Sequence, residues 1–435
     1  MSTTIADLHT LFLEAGQKIC TDTRKAEKGA LFFALKGPNF NANELASQAI
    51  GAGCSYAVID DKKFASVPNT ILVQDVLLAL QQLANYHRKT LDIPFIGITG
   101  SNGKTTTKEL VAAVLAEKFR VLATEGNLNN HIGVPLTLLS IKPEHEIAII
   151  EMGANHQGEI EMLCRIAEPD YGIITNIGKA HLEGFGGIEG VKKGKSELYK
   201  YIAEKKGKVF LHADDDVLQE LSAANDKVTY GTKKLYDVVG RMNASSSTVQ
   251  FVWKTRYEAP ELAKAPLIQS HLVGVYNYYN LLCAACVGNY FQVEEEAINR
   301  ALATYEPTNN RSQLTKTDKN TLILDYYNAN PTSMKAAIEN FAAMDVPNKL
   351  LILGDMLELG EESAQEHQLI IDLLKEKKLK DHMLVGPVFS ALSPDHTYPD
   401  SQAAARYLSE HPVEQKTILI KGSRGIRLET VLSRL

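Results

Sequence analysis

The sequence predicts an α/β protein made of three consecutive sheet-and-helix units. Three observations carry that expectation. The chain has 435 residues, more than one ordinary core accommodates. Short apolar runs of strand length recur from LFFAL at 31–35 to TILIKGS at 417–423, with helical-period segments between them. One such run, PFIGITG at 94–100, leads straight into a glycine-rich turn and then a helix.

In the first unit, LFFAL and SYAVI (55–59) are expected strands, and LLALQQLANYHRK (77–89) is the helix leading out. After the glycine turn, TTTKELVAAVLAEKF (105–119) places Val111, Leu115 and Phe119 on or near one helical face. IAIIEMG (147–153), GIITNIG (172–178) and KVFLHAD (208–214) are apolar on both faces, the pattern of a mostly parallel sheet covered by helices. Between about 225 and 270 the texture changes to shorter alternating segments such as TVQFVWKTRYEA, which predict antiparallel hairpins. From 309 onward four more strands are expected to end at TLILDYY, KLLILGD, HMLVG and TILIKGS, with helices such as MKAAIENFAAM and HQLIIDLLKEK between them.

Composition narrows the function classes. Hydrophobic residues make up 45% of the chain, and its apolar runs fall short of the roughly 18 residues of a membrane span. The opening MSTTIADLHTLF lacks the basic, apolar and small-residue succession of a signal peptide, so a cytoplasmic protein without a membrane partner is expected. A net charge of -6 without a basic block argues against nucleic acid. The five cysteines are scattered and odd in number, which disfavours a disulfide framework. Cys283 and Cys286 form a CxxC within NLLCAACVG, where helical spacing predicts buried thiols on one apolar face.

The sharpest chemical signal is GITGSNGKTTTK, Gly97 to Lys108. Gly100 and Gly103 let the backbone curl around a phosphate, and the following helix offers unpaired N–H groups. Lys104 supplies a point charge for β- and γ-phosphates, and the Thr105 hydroxyl suits magnesium. Ile98 stands where the general GxxxxGK[ST] pattern has its first glycine, so this is a variant loop. Glu151 ends an apolar strand and therefore belongs at the carboxyl edge of the sheet, where a metal-directed carboxylate would sit. Asn176 and His181 follow the next strand and share that edge. Asp325, Asp355 and Lys421 follow strands of the third unit, as expected where two domains close on one ligand. Those residue types suit transfer between two substrates, and a kinase fits nearly as well.

Taken together the segments resemble the Mur ligase family over essentially the whole chain, and within it the branch that adds D-alanyl-D-alanine. The variant loop GITGSNGKTTT resembles the family's own. GNLNNHIGVPLTLL (126–139) resembles the segment beside the substrate peptide, which brings in Asn129 and Asn130. EMGANHQGEI and NIGKAHLEGFGGIEGV resemble the stretches holding the metal glutamate and histidine, Glu151 and His181. KGKSELY looks like the segment of the carbamylated lysine, here Lys195, which the residues alone would place on the solvated surface. DYYNANPTSMKAAI (325–338), LGDMLELGEESAQEH (353–367) and LIKGSRGIRLE (419–429) resemble the D-Ala-D-Ala-adding branch in particular. TDTRKAEKGALFFALKG (21–37) resembles the front of a UDP-binding domain, with Thr23 and Arg24 toward the sugar nucleotide.

The resemblance implies a UDP-sugar-binding domain at 1–87, a central ATP-binding phosphate-loop domain at 88–308 and a C-terminal Rossmann-like domain at 309–435. It implies ATP and two magnesium ions, with Gly100, Ser101, Asn102, Gly103, Lys104, Thr105, Thr106, Asn277, Arg311, Asp325 and Tyr327 at the nucleotide. Metal ligation falls to Thr105, Glu151, His181 and Lys195, and catalysis to Lys104, Glu151, His181, Lys195 and Arg311. The implied substrates are UDP-N-acetylmuramoyl-tripeptide and D-alanyl-D-alanine, joined through an acyl phosphate by a monomer. Three departures from the family's pattern stand out. Tyr276 replaces a histidine in GVYNYYN, leaving Asn277 and Asn280; Asn310 replaces the glycine before Arg311; and Asn43 and Leu45 occupy positions where glycine-histidine and an aromatic are common.

Overall fold

The computed structural model describes residues 3–243, 248–393 and 395–435. Three α/β sheets follow one another along the chain, as the apolar runs predict. The first has four parallel strands in the order Ile19–Cys20, Leu31–Phe33, Tyr56–Ile59 and Thr70–Leu72. The helix Val76–Lys89 leaves it and packs against the central unit. There Arg88 donates to the carbonyls of Ala167 (3.0 Å) and Glu168 (2.9 Å) and lies 3.7 Å from the Phe95 ring.

The central sheet has nine strands. From one edge they run Val121–Ala123, Ile147–Glu151, Phe95–Thr99, Tyr171–Ile174, Lys208–His212, Asp226–Gly231, Val238–Asn243, Gln250–Thr255 and Ile268–Gln269. Phe95–Thr99 therefore sits between the strands ending at Glu151 and Ile174, both parallel to it. Three neighbouring carboxyl ends converge there, which is where open α/β sheets bind ligands. All five residues of Phe95–Thr99 and of Ile147–Glu151 are buried, consistent with helices on both faces.

The expectation of antiparallel pairing throughout 225–270 is corrected at its start. Asp226–Gly231 runs parallel to both Lys208–His212 and Val238–Asn243, and antiparallel pairing begins only with Val238–Asn243 against Gln250–Thr255. The cause is local. Thr229 donates its N–H (2.8 Å) and hydroxyl (2.7 Å) to the Asp237 carboxylate, and Asp237 N–H returns a bond to Thr229 Oγ1 at 3.0 Å. These bonds bring the chain back alongside itself, so that Val238 starts beside Tyr230.

The third sheet has six strands in the order Gln313–Lys316, Thr321–Asp325, Thr417–Lys421, Lys349–Gly354, His382–Val385 and Thr397–Tyr398. Only the first pairing is antiparallel. Cys283 and Cys286 lie buried in the helix Asn277–Tyr290, as the spacing predicts, and burial pushes the Cys283 thiol up to about 12. No helix among the described residues is long and apolar enough to cross a membrane.

Candidate active site

A cleft of about 610 Å³ opens between the carboxyl edge of the central sheet and that of the third sheet. That size suits a nucleotide-sized ligand. Its floor is the glycine loop. Gly100 has φ 139° and Gly103 φ 79°. A Cβ on Gly100 would come within 2.0 Å of Thr175 Oγ1, and one on Gly103 within 2.9 Å of Asn280 Oδ1. Both conformation and crowding thus demand glycine. The loop is clamped to the neighbouring strand end. Ser101 N–H donates to Asn176 O (3.0 Å), Asn102 N–H to Asn176 Oδ1 (3.1 Å) and Thr175 Oγ1 to Asn102 O (2.6 Å). Asn176, expected at this edge, therefore holds the loop in shape. The helix Lys104–Ala116 starts without a side-chain cap, so its first amides face the cleft unclaimed.

Lys104 Nζ donates to the carbonyls of Gly100 (2.8 Å) and Ser101 (3.2 Å), and burial lowers its ammonium pKa against the attraction of Glu151. Thr105 and Thr106 are buried beside it. Thr107 Oγ1 donates to Asn280 Oδ1 at 3.1 Å, tying the phosphate helix to Asn277–Tyr290. Asn277 Nδ2 donates to Val273 O (2.8 Å), and Asn280 Nδ2 to Asn277 Oδ1 (2.9 Å).

Glu151 is 1% exposed. Its N–H donates to Thr124 Oγ1 (3.0 Å), and Oε1 accepts from Asn129 Nδ2 at 2.9 Å. Its Oε2 has no hydrogen-bond partner and lies 3.8 Å from Lys108 Nζ. A buried carboxylate oxygen left open toward a cleft fits a divalent cation. Asn130 instead caps the next helix, accepting from the N–H groups of Ile132 (3.1 Å) and Gly133 (2.9 Å). His181 adopts φ 54°, and its Nδ1 lies against the Glu358 carboxylate of the third unit without hydrogen-bond alignment. That contact lowers the Glu358 carboxyl from its ordinary value, against the opposing effect of burial. Among the described residues no three His, Cys, Asp or Glu are grouped so as to hold a metal ion by themselves. An ion here would complete its shell with hydroxyl, water and phosphate oxygens, as magnesium does.

Lys195 is 1% exposed, so the surface position that the residues alone suggest is corrected. Its Nζ donates to Ala154 O at 3.1 Å and lies 5.1 Å from the Phe185 ring. Burial drives its pKa well down, and the charge of Lys104 adds to the effect. Both effects favour the neutral amine over the ammonium.

The opposite wall comes from the third unit. Asn310, with φ 55°, turns the chain into Arg311, whose guanidinium stacks 3.8 Å from the Tyr327 ring. Asp325 Oδ2 pairs with Lys421 Nζ at 2.6 Å, and Oδ1 accepts from Ser312 N–H at 3.2 Å. The Tyr276 hydroxyl meets Ser312 Oγ at 3.0 Å, and burial raises its phenol pKa. Asn330 Nδ2 bridges the cleft to Asn102 Oδ1 at 2.7 Å. Asp355 does not join this site. It is fully buried and accepts the N–H groups of Val388 (2.8 Å) and Phe389 (3.0 Å), capping the helix Pro387–Leu392.

Thr23 and Arg24 lie outside the cleft, in the turn Thr23–Lys25, where exposed Arg24 pairs with Asp22 at 2.7 Å. Asn43 is buried and structural, donating to Asp60 Oδ1 (2.9 Å) and accepting from Asp60 N–H (3.0 Å). Three groups were not foreseen, Lys108, Glu358 and Asn330, nor was the bond by which Asn330 reaches Asn102, a residue expected only at the nucleotide. Lys108 had a signal, since it lies four residues after Lys104 and so shares its helix face. The others gave none, because their partners lie far away in sequence.

A phosphate loop, an open buried carboxylate and a facing α/β wall with its own arginine define a nucleotide-dependent enzyme with a site shared by two sheets. Residues 98–288 match the model of the Mur ligase middle domain, and 310–424 that of the Mur ligase glutamate ligase domain. The chain is 35% identical to the UDP-N-acetylmuramoyl-tripeptide--D-alanyl-D-alanine ligase of Bacillus subtilis, over 96% of this chain and 92% of that one. It is 34% identical to the Escherichia coli enzyme of the same name, over 96% and 93%. Among solved structures it superposes on MurF from Acinetobacter baumannii with a TM-score of 0.84 and 32% identity, covering 96% and 92%. MurF ligase from Thermotoga maritima in complex with ADP gives a TM-score of 0.84 at 25% identity, covering 97% of each chain. The chain belongs to the Mur ligase family.

Proposed function

We propose that this enzyme uses ATP to join D-alanyl-D-alanine to UDP-N-acetylmuramoyl-tripeptide in peptidoglycan precursor synthesis, releasing ADP and phosphate. The observation that carries the proposal is one cleft in which Lys104, Glu151 and the loop amides of the central sheet face Arg311 and Asp325 of the third. The relatives that share this chain nearly end to end bear the name of that reaction.

The tripeptide carboxylate attacks the γ-phosphorus of ATP, forming an acyl–oxygen–phosphorus bond as the bond to ADP breaks. The dipeptide amine then attacks the acyl carbon, phosphate leaves, and the amine proton passes to base or solvent. Activation is needed because a free carboxylate has no adequate leaving group. Lys104, Arg311 and the loop amides stabilise charge on the transferring phosphoryl group. Thr105 and Glu151 would hold one magnesium ion, and His181 with carbamylated Lys195 a second, the ions supplying further positive charge. The open Oε2 of Glu151 supports the first assignment, and the buried, low-pKa amine of Lys195 the carbamylation. In that step the Nζ lone pair adds to carbon dioxide and one proton leaves.

Residues 88–308 serve as the ATP-binding domain and 309–435 as the Rossmann-like partner that closes over it and excludes water from the acyl phosphate. Residues 1–87 bind the UDP-sugar, with Thr23 and Arg24 toward it, while Asn129 and Asn130 meet the peptide. Gly100, Ser101, Asn102, Gly103, Thr106, Asn277 and Tyr327 complete the nucleotide site. The protein acts as a cytoplasmic monomer.

Phosphate release with ATP, magnesium, UDP-muramoyl-tripeptide and D-Ala-D-Ala, each omitted in turn, tests this function. Release that requires both co-substrates, with a product heavier by the dipeptide less water, is the expected result. Release without the dipeptide, and no amide on adding it, overturns the acceptor assignment.

A further inference from the structure

The cations around the cleft are unequally occupied. Lys421 is paired with Asp325, Lys179 donates to Glu366 at 2.5 Å, and Lys108 lies beside Glu151. Lys104 is folded into the phosphate loop. Arg311 and Arg424 remain, and neither has an ion pair or side-chain hydrogen bond among the described residues. Both guanidiniums are gathered on one phenol ring, 3.8 Å and 5.5 Å from the centre of Tyr327. Two like charges within reach of one aromatic ring, neither in an ion pair among the described residues, form a site prepared for anions. Arg311 is committed to the phosphoryl group in the mechanism above, which leaves Arg424 for a second anion.

The surroundings of Arg424 are built rather than loose. It follows the strand Thr417–Lys421, whose sheet neighbour is Lys349–Gly354. Leu357 N–H donates to Ser423 Oγ (3.0 Å), and Ser423 N–H to Asp355 O (3.2 Å), so the loops after these two strands are stitched together. The stitching sets Leu357, an apolar side chain left 44% exposed, against the residue after Arg424, its Cδ1 2.8 Å from where a Cβ on Gly425 would lie, and Leu357 directly precedes Glu358 on the cleft wall. An unpaired guanidinium beside a small apolar surface matches a terminal carboxylate flanked by a methyl group.

Resting on the proposed ligase function, we infer that Arg424 anchors the free C-terminal carboxylate of the incoming dipeptide, with Leu357 against its terminal methyl, and so selects the acceptor. An extended dipeptide separates amine from carboxylate by roughly 7 Å. A cation at the far end therefore directs the amine toward the acyl carbon and rejects amines without a carboxylate at that distance. A bidentate guanidinium–carboxylate contact supplies the needed geometry.

The test compares the full-length enzyme with Arg424→Ala and Arg424→Lys, using D-Ala-D-Ala and its C-terminal carboxamide as acceptors. The wild type is expected to prefer the acid by about 10- to 100-fold, the range of a charged hydrogen-bonded contact. In Arg424→Ala the KM for D-Ala-D-Ala rises by a similar factor, the acid-over-amide preference collapses toward one, and the KM for ATP stays within about twofold; Arg424→Lys recovers part of the preference. A merely structural arginine would not erase the distinction between acid and amide. Amide product from the wild type, with KM and preference unchanged in Arg424→Ala, overturns the role of Arg424 and leaves the ligase function standing. A wild type that forms no amide with either acceptor overturns both.

Discussion

Replacing Lys421 by methionine should destabilise the C-terminal unit by an amount that follows from the pair it makes. Lys421 and Asp325 are direct register partners on neighbouring parallel strands, so the pair is built into the sheet. Their side chains are 3% and 13% exposed at a separation of 2.6 Å. Removing one partner of a buried pair costs about 3 to 5 kcal/mol, because the other charge stays desolvated. Asp325 keeps the Ser312 amide and borders the cleft, so the lower end applies, about 3 kcal/mol. For an α/β unit of this size 1 kcal/mol corresponds to about 4 °C, so its unfolding should shift down by roughly 12 °C. Lys421→Met combined with Asp325→Asn should return to within about 1 kcal/mol of wild type, since no unpaired charge remains. Scanning calorimetry of the full chain, with its transitions separated, measures both. A Lys421→Met transition within about 2 °C of wild type, or a double variant no better than the single, would refute the reasoning.

Three further outcomes are expected. Glu151→Gln keeps the Asn129 contact but loses the charge of Oε2, and turnover should drop by about 10²- to 10³-fold with the circular dichroism spectrum unchanged; retention of a tenth of the activity removes the carboxylate from the mechanism. Lys195→Ala should lose turnover and regain part of it with a short carboxylic acid, whereas full activity without rescue sinks the carbamate. The buried His9 and His87, 3.2 Å apart, both have pKa values lowered by burial, His9 also by His87. Their stability contribution is therefore present above the unfolded histidine pKa of about 6.5 and is lost as pH falls through the lower folded values. His9→Phe should shrink the drop in melting temperature between pH 7.5 and 5.5, and an unchanged drop means these histidines do not govern acid stability.

Local order was legible wherever one short segment carried its own cause. Phe95–Thr99 is buried at all five residues because it is apolar on both faces, and the two glycines after it could only mean a turn too crowded for a Cβ. Glu151, Asn176 and His181 were predicted at one sheet edge because Glu151 ends a strand and the other two closely follow one. The Asp226–Gly231 pairing was misjudged because its direction depends on the Thr229–Asp237 bonds, which alternation does not encode. Lys195 shows a signal underused: Val191, Lys195, Leu198 and Ile202 form one helical stripe, buried at every position.

By itself, then, the sequence determined which long apolar segments become the inner strands, where the phosphate loop lies and which side chains end at a sheet edge, while short strands such as Thr70–Leu72, Val121–Ala123 and Gln313–Lys316 carried no such pattern. Each of these follows from periodicity and glycine chemistry within a dozen residues. Tertiary structure alone decided that Asp325 pairs with Lys421, that Glu358 meets His181, that Asp355 turns inward as a helix cap, and that Arg311 and Arg424 share Tyr327. Strand order in the third sheet and the facing of two sheets across a cleft set those contacts. Both bring together residues more than two hundred positions apart, as in the bond from Asn330 to Asn102 with a separation of 228, beyond the reach of any local pattern.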